Sequence, residues 1–278
     1  MPDTLRNLLR QRPENGHKGT FGHALLIAGS YGMAGAGILA GKGCMRSGAG
    51  KLTVHIPKLN NDIMQVALPE AILHHDCDMQ RWTSHITGNG LSCYNAIGIG
   101  PGIGMHEDTA SAFLHLLKQM DAHSVATGHA IPTVLDADAL NILAAHPQWM
   151  QHLAQNTILT PHPLEYKRLT DAGADMKQSV LVLKGHPTTI FIPGREPYHC
   201  PYGNNGMGTA GSGDVLTGII LGLLAQGYPP AQASVLGVCL HAISGDLAAE
   251  SLGTHSLIAS DLTDFLPKAF LAIQQDIL

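Results

Sequence analysis

The sequence predicts an α/β fold with a mostly parallel central sheet flanked by helices on both faces. Three observations carry that expectation. Short apolar runs alternate with longer stretches of helical periodicity along the chain. Glycine-rich loops follow several of the apolar runs, where a parallel sheet presents the carboxyl ends of its strands and binds ligands. No low-complexity linker or repeat of fixed period interrupts the 278 residues, so one domain over residues 1–278 is expected, with 1–15 as an N-terminal extension.

The elements read in order as follows. Residues 23–28 (HALLIA) form a strand, which runs into a glycine-rich loop at 29–35 and a small-residue helix to about Ser47. Residues 51–56 (KLTVHI) and 95–99 (NAIGI) are strands, the second followed by a helix near 107–120. A strand at 132–136 precedes a helix at 137–145, and a strand at 157–160 precedes a short helix at 164–170. Residues 180–184 and 188–192 read as paired strands, after which helices are expected at 213–226, 231–250 and 261–274.

Composition narrows the function. Hydrophobic residues make up 45% of the chain and charged residues 13%, the opposite of the bias that produces disorder. A formal net charge of −5, with scattered basic residues, argues against a nucleic-acid partner. No stretch reads as long and apolar enough to span a bilayer, and the N-terminus lacks the apolar centre of a signal peptide, so a cytoplasmic protein with no membrane partner is expected. The cysteines number 5, an odd count without C-x-x-C, which favours neither a disulfide framework nor a zinc ribbon. The 17 histidines include no H-x-x-x-H pair, and no protein metal site is expected.

The most informative segment is NNGMGTAGSGDVLTG, residues 204–218. A glycine-rich turn opens an apolar helix there. The backbone N–H groups of Gly211, Ser212 and Gly213 are free to hold a phosphate, helped by the helix dipole. Asp214, in the first turn, reads two ways: as a base taking a proton from an attacking hydroxyl, or as an ordinary stabilising first-turn acid. IGIGPGIG, residues 97–104, has the wrong spacing for a dinucleotide fingerprint and reads as a strand-end turn or a backbone contact with ligand. GILAGKG, residues 37–43, lacks the first glycine and the closing Ser/Thr of a phosphate loop and looks helical; its small residues suit close packing or close ligand approach. The prolines around His162 in TPHPLE either aim His162 and Glu165 into a cleft or simply start a helix. KGHPT, residues 184–188, is a nucleotide contact or an exposed turn.

HKGTFGH (17–23), PGIG, DADALN (136–141), LTPHPLE, LKGHPT and NNGMGTAGSGDVLTG together, in this order, resemble the NAD(P)H-hydrate dehydratase family from about Gly16 onward. AGSGD alone points only to the wider kinase superfamily. The resemblance implies a ribokinase-like fold and a repair lyase that dehydrates the S-form of hydrated NADH or NADPH. The bacterial type couples this to hydrolysis of ADP to AMP and phosphate, the eukaryotic type uses ATP, and Mg2+ is expected. It further implies a homo-oligomer, expected as a tetramer and with the apolar C-terminal helices as one source of interface. A separate NAD(P)H-hydrate epimerase is the implied functional partner, since little chain precedes His17.

By the same resemblance Asp214 is the catalytic, substrate-contacting acid, and Ala36, Gly102 and His162 contact the hydrated cofactor. Lys184, Gly185, His186, Pro187, Thr188 and Gly213 match the nucleotide-contacting positions. The chain departs from the family at Leu164 (usually glycine), at Gly208 (commonly alanine), and in having only residues 171–179 where a further helix is usual before LKG. Lys184 is the one lysine or arginine in the motifs after His23, which favours ADP over the longer polyphosphate of ATP. Two other classes stay open: a small-molecule kinase of the hydroxymethylpyrimidine or hydroxyethylthiazole type, and a non-catalytic nucleotide-binding protein.

Overall fold

Successive residues of the central strands point into two separate cores, as the period of two in a strand requires. In the computed structural model, which describes residues 5–84 and 90–277, these strands form one sheet. In chain order they are β1 (His23–Ile27), β2 (Lys51–Ile56), β3 (Ile72–His75), β4 (Ala96–Ile99), β5 (Thr133–Leu135), β6 (Ile158–Leu159), β7 (Val180–Leu183), β8 (Thr189–Phe191) and β9 (Tyr198–His199). Their order across the sheet is β3-β2-β1-β4-β5-β6-β7-β8-β9. Pairing is parallel through β7 and antiparallel for β8 and β9.

The helices are α1 (Ala34–Arg46), α2 (Asn61–Ala67), α3 (Glu107–Thr127), α4 (Asp138–Ala145), α5 (Pro163–Asp171), α6 (Ser212–Ala225), α7 (Pro230–Leu252) and α8 (Ala259–Gln275). Leu26, Val54, Val134 and Val180 face a core shared with α1, α6, α7 and α8. Leu25, Ile27, Ile99, Leu135 and Leu181 face the other, filled by Phe113 and Leu116 of α3, Leu140 of α4 and Leu169 of α5. Each such fully buried aliphatic or aromatic side chain contributes about 1.5–3 kcal/mol.

Small residues set the spacing of the central helix pair. A methyl on Gly218 of α6 would lie 1.9 Å from the Ala40 carbonyl oxygen of α1, and one on Gly43 of α1 would lie 2.6 Å from that of Val215. GILAGKG is thus helix α1, pressed backbone to backbone against the helix that begins at the AGSGD turn.

Several expectations change. The elements α2, β3 and β9 carry no clear pattern in sequence: β3 is a short edge strand whose Ile72 is 53% exposed, so nothing enforces an apolar alternation. Helix α3 runs past Met120 to Thr127, where Gly128 (φ 72°) ends it in the left-handed conformation. The expectation that no stretch could span a bilayer is corrected by α7, which is long and apolar enough by length and composition. Its most apolar window is 67% buried inside the fold, as suits a core helix. The apolar sides of α6 and α7 are occupied in the same way, packed within their own chain, which leaves little of them for a subunit interface. The shortened segment after α5 does not open the sheet. Helix α5 alone carries the chain from β6 to a parallel β7, with Leu169 and Leu181 buried beneath it.

Candidate functional site

The chain leaves β1 for β2 and β3 on one side and returns to β4 on the other, so the carboxyl ends of β1 and β4 form a topological switch point. The loops there are stitched together: Gly29 N–H donates to the Pro101 carbonyl at 2.8 Å and Ser30 N–H to the Gly102 carbonyl at 2.6 Å. Gly102 has φ of +62°, and a methyl on it would stand 2.9 Å from Met33 Cβ and 3.1 Å from Ala36 Cβ. Ala36 and Gly102, far apart in sequence, therefore form one shelf on which only a minimal side chain fits.

Beside this shelf lies a cleft of about 570 Å³, lined by residues that include His162, Lys184, Gly185, His186, Thr188, Asn204, Gly211, Ser212, Gly213 and Asp214. Ala36, Gly102 and Pro187 are outside that lining. Gly203 N–H and the Asn204 amide donate to Asp246 of α7, both at 2.8 Å, which fixes the entry to the glycine-rich turn. Gly211 (φ 89°) turns the chain into α6, and Asp214 follows in the first turn. His241 of α7 anchors this start: its Nε2–H donates to the Ser212 carbonyl at 2.9 Å, with Ser212 Oγ 3.2 Å away. Burial pushes His241 down to about 4, so the imidazole is neutral near pH 7. With the shared proton on His241, the Ser212 O–H is free to point at a ligand.

Below the turn is a buried charge cluster. Asp136, 1% exposed, receives the Lys184 ammonium on Oδ1 at 2.6 Å and the Thr217 hydroxyl on Oδ2 at 2.7 Å. Lys184 also stands 3.9 Å from Glu165. Burial alone would pull the Lys184 ammonium down, but Asp136 and Glu165 outweigh it and hold it up. Asp214 is treated differently. Burial and then the charge of Asp136 push it up to about 7, Lys184 opposing and Asp138 and Glu165 reinforcing. A carboxyl poised there is suited to taking a proton at neutral pH.

His162 does both things the sequence allowed. Its Nδ1 accepts from Leu164 N–H at 3.1 Å and Glu165 N–H at 3.3 Å, while Glu165 accepts from His162 N–H at 2.8 Å, a capping box that starts α5. The imidazole edge still lines the cleft. Leu164 is 51% exposed and makes room without disturbance where the family has glycine. A methyl on Gly208 would meet only the Asn205 carbonyl, at 3.3 Å. Lys184 to Thr188 form the β7–β8 turn, in which the Thr188 hydroxyl donates to the Gly185 carbonyl at 2.9 Å.

Asp136, Asp138, Thr217 and His241 are residues of this cluster that sequence reasoning did not assign, whereas Glu165 was offered there together with His162 and does line the cleft. Asp136 and Asp138 stood in the quoted DADALN motif, and the signal for His241 was an imidazole within the apolar run VLGVCLHAI of α7. Between the two aspartates Ala137 holds φ of 49°, a strained value for a residue with a side chain. That twist lets Asp136 face the cleft while Asp138 accepts from Gly104 N–H at 2.8 Å, joining cleft and shelf.

Among the described residues no group of three or more His, Cys, Asp or Glu could hold a metal ion. The Asp136 oxygens accept from Lys184 and Thr217. Magnesium commonly binds through substrate phosphates, waters and few protein oxygens, a mode that needs no ligand cage and is compatible with this cleft.

The comparisons with known proteins agree with one another. A family model described as NAD(P)H-hydrate dehydratase matches residues 24–268. The bifunctional NAD(P)H-hydrate repair enzyme Nnr of Moorella thermoacetica is 35% identical over 98% of this chain, which covers 53% of that protein. The chain thus spans about half the length of the bifunctional relatives it matches. The ADP-dependent (S)-NAD(P)H-hydrate dehydratase of Bacillus subtilis is 34% identical, over 96% of this chain and 95% of the relative. A crystal structure of the ADP/ATP-dependent NAD(P)H-hydrate dehydratase of Bacillus subtilis, grown with ATP and Mg2+, superposes with a TM-score of 0.78 at 33% identity, covering 97% of this chain and 96% of that one. A ribokinase-like superfamily protein of Enterococcus faecalis superposes with a TM-score of 0.79 at 27% identity, covering 98% and 94%.

Proposed function

Since this chain belongs to the NAD(P)H-hydrate dehydratase family, with a ribokinase-like fold, we propose that it dehydrates the S-form of hydrated NADH or NADPH with conversion of ADP to AMP and phosphate. The observation that carries the reading is Asp214: a carboxyl in the first turn of α6, lining the cleft together with Gly211, Ser212 and Gly213, and pushed up to about 7.

The steps follow from the chemistry of the groups. Hydroxide is a poor leaving group at neutral pH and phosphate a better one. Asp214 takes the proton of the ring hydroxyl, and the oxygen attacks the terminal phosphorus of ADP, releasing AMP. The N–H groups of Gly211 and Gly213 and the Lys184 ammonium stabilise the transferring charge, whereas the Ser212 N–H, expected from the sequence to join them, donates to the Thr209 carbonyl at 3.3 Å and leaves its hydroxyl for the ligand. The ring nitrogen's electron pair then expels phosphate, and loss of a proton from the adjacent ring carbon restores the dihydronicotinamide. On this reading Lys184, Gly185, His186, Pro187, Thr188 and Gly213 bind the nucleotide, while Ala36, Gly102 and His162 receive the hydrated ring. Magnesium, if carried in on the phosphates, would supply charge screening there, and the residues named above keep their roles.

The test is direct: the protein is mixed with hydrated NADH, ADP and Mg2+, and recovery of dihydronicotinamide absorbance is followed. No recovery with either ADP or ATP refutes the reading. Phosphorylation of a hydroxymethylpyrimidine or hydroxyethylthiazole instead would favour the kinase class, and binding without phosphate release a non-catalytic role.

ADP is the proposed nucleotide, because Lys184 is the single lysine or arginine among the described residues lining the cleft and is already bound to Asp136. The ratio of kcat/KM for ADP and ATP decides this, and a ratio favouring ATP overturns the preference alone. The assembly is proposed as a tetramer. Leu59, Ile63, Val66 and Ile72, all exposed around the β3 edge, suit an interface better than the C-terminal helices, and light scattering showing a strict monomer would exclude it. The enzyme is placed in the cytoplasm with its cofactor substrates, in functional partnership with a hydrate epimerase.

A further inference from the structure

The buried cluster under the AGSGD turn contains a carboxylate at the floor of the cleft whose oxygens are both engaged by side chains of the protein itself. Asp136 ends β5. Its two oxygens are committed to Lys184 Nζ at 2.6 Å and Thr217 Oγ1 at 2.7 Å, and Thr217, 0% exposed, lies one turn into α6 from Gly213. The ammonium sits close against the helix start: a methyl on Gly213 would be 3.1 Å from Lys184 Nζ and 3.8 Å from Asp136 Oδ2. Lys184 forms its ion pairs with Asp136 and Glu165 and none with Asp214, its near neighbour in the cleft. We infer that Asp136 is a positioning residue of the reaction: its buried carboxylate clamps the Lys184 ammonium against Gly213 and so keeps the cleft's lysine from pairing with Asp214.

A free ammonium on a flexible stem would move to the nearest uncompensated carboxylate. Were that Asp214, the pair would hold the base in a charged, weakly basic form and take the cation away from the phosphate site. Asp136 prevents both, and its own negative charge favours a proton on Asp214. The other groups around Asp214 do not substitute for it. Asp138 of α4 is engaged with Gly104 N–H. Glu165 of α5 caps its helix and stands farther from Lys184. His241 of α7 is neutral and bound to Ser212. Helices α1 and α8 present the uncharged Leu39 and Ala259 beside Gly211.

The inference rests on the reading of Asp214 as the base, and the test separates the two. Asp136→Asn keeps the size and an acceptor for Thr217 but loses the charge. Carboxyl carbon-13 NMR, with the Asp214 resonance assigned by its absence in Asp214→Asn, follows the titration of Asp214 without any turnover. In parallel, kcat is measured against pH with hydrated NADH and ADP. In Asp136→Asn the Asp214 titration is expected to move down by about one unit or more, and the acid limb of kcat with it, while plateau kcat falls roughly tenfold or more because a weaker base transfers protons less readily. An unmoved Asp214 titration in folded Asp136→Asn overturns the inference. A moved titration in a protein that shows no dehydration even as wild type sustains the clamp and removes the proposed reaction instead. If Asp136→Asn does not fold, Glu165→Gln reads the same cluster: a smaller downward shift supports the clamp, and an upward or absent shift overturns it.

Discussion

Two aspartates partly or wholly removed from solvent, Asp76 and Asp214, are handled in opposite ways. Asp76, just past β3, accepts from His55 Nε2–H, from the N–H groups of Asp78, Thr83 and Ser84, and from the hydroxyls of Thr83 and Ser84. Burial works to raise it, but these donors win and hold it well below the usual carboxylate range. Asp214 is half-buried, yet the forces acting on it are desolvation and the charges of its neighbours, and it is pushed up to about 7. Donors convert a buried carboxylate into a structural anchor; withholding them leaves a base. The Asp76 anchor orders the loop that supports the shelf, since Tyr31 N–H donates to the Gln80 carbonyl at 2.7 Å and Leu59 N–H to the Met79 carbonyl at 3.2 Å.

The sharpest way to break this contrast is to remove each carboxylate in turn. Asp214→Asn is expected to lower kcat by roughly 10²–10⁴-fold, with ADP affinity unchanged or slightly better, because a proton acceptor is lost and a like charge is removed. Asp76→Asn is expected to leave kcat within a few-fold. Turnover of Asp214→Asn within threefold of the parent would make Asp214 only a first-turn acid. In urea denaturation at pH 7 the ranking reverses. Asp76→Asn loses about 2–4 kcal/mol, since buried donors are left facing an amide.

The pH dependence carries opposite signs. Asp76 has a folded pKa below its unfolded value, so its stabilisation is fully present above about pH 4 and is lost as the pH falls below that. Asp214 has a folded pKa above its unfolded value, so ionising it costs stability as the pH rises from about 4 through about 7. Asp214→Asn should therefore be more stable than the parent at pH 8, by about 1–2 kcal/mol after allowance for solvent screening, with the difference gone at pH 4. Equal stability at pH 8 would show that Asp214 is well solvated. The smallest effect is expected on the shelf between the two acids. Gly102→Ala places a methyl at positive φ against Met33 and should cost about 1 kcal/mol, with a raised KM for the hydrated cofactor and little change in kcat. A change in kcat without one in KM would move Gly102 out of the binding surface.

What the sequence determined by itself is local in character. The order of buried strands and amphipathic helices follows from apolar periodicity, and the glycine-rich opening of α6, the Asp214 first turn and the KGHPT turn are written in contiguous residues. Family membership was legible for the same reason, in short motifs and their order. Tertiary structure decided the rest. Asp136 meets Lys184 across 48 residues and Thr217 across 81. Ser212 meets His241 across 29, and Ala36 meets Gly102 only because β1 and β4 are neighbours. The weak edge elements α2, β3 and β9 were invisible because half-exposed positions place little demand on residue type. Periodicity and capping depend on neighbours along the chain, whereas the proton affinity of a carboxyl depends on which charges and donors the sheet order brings beside it. Hence an aspartate at a helix start could be read from the sequence, and only the packed structure distinguishes the base from the anchor.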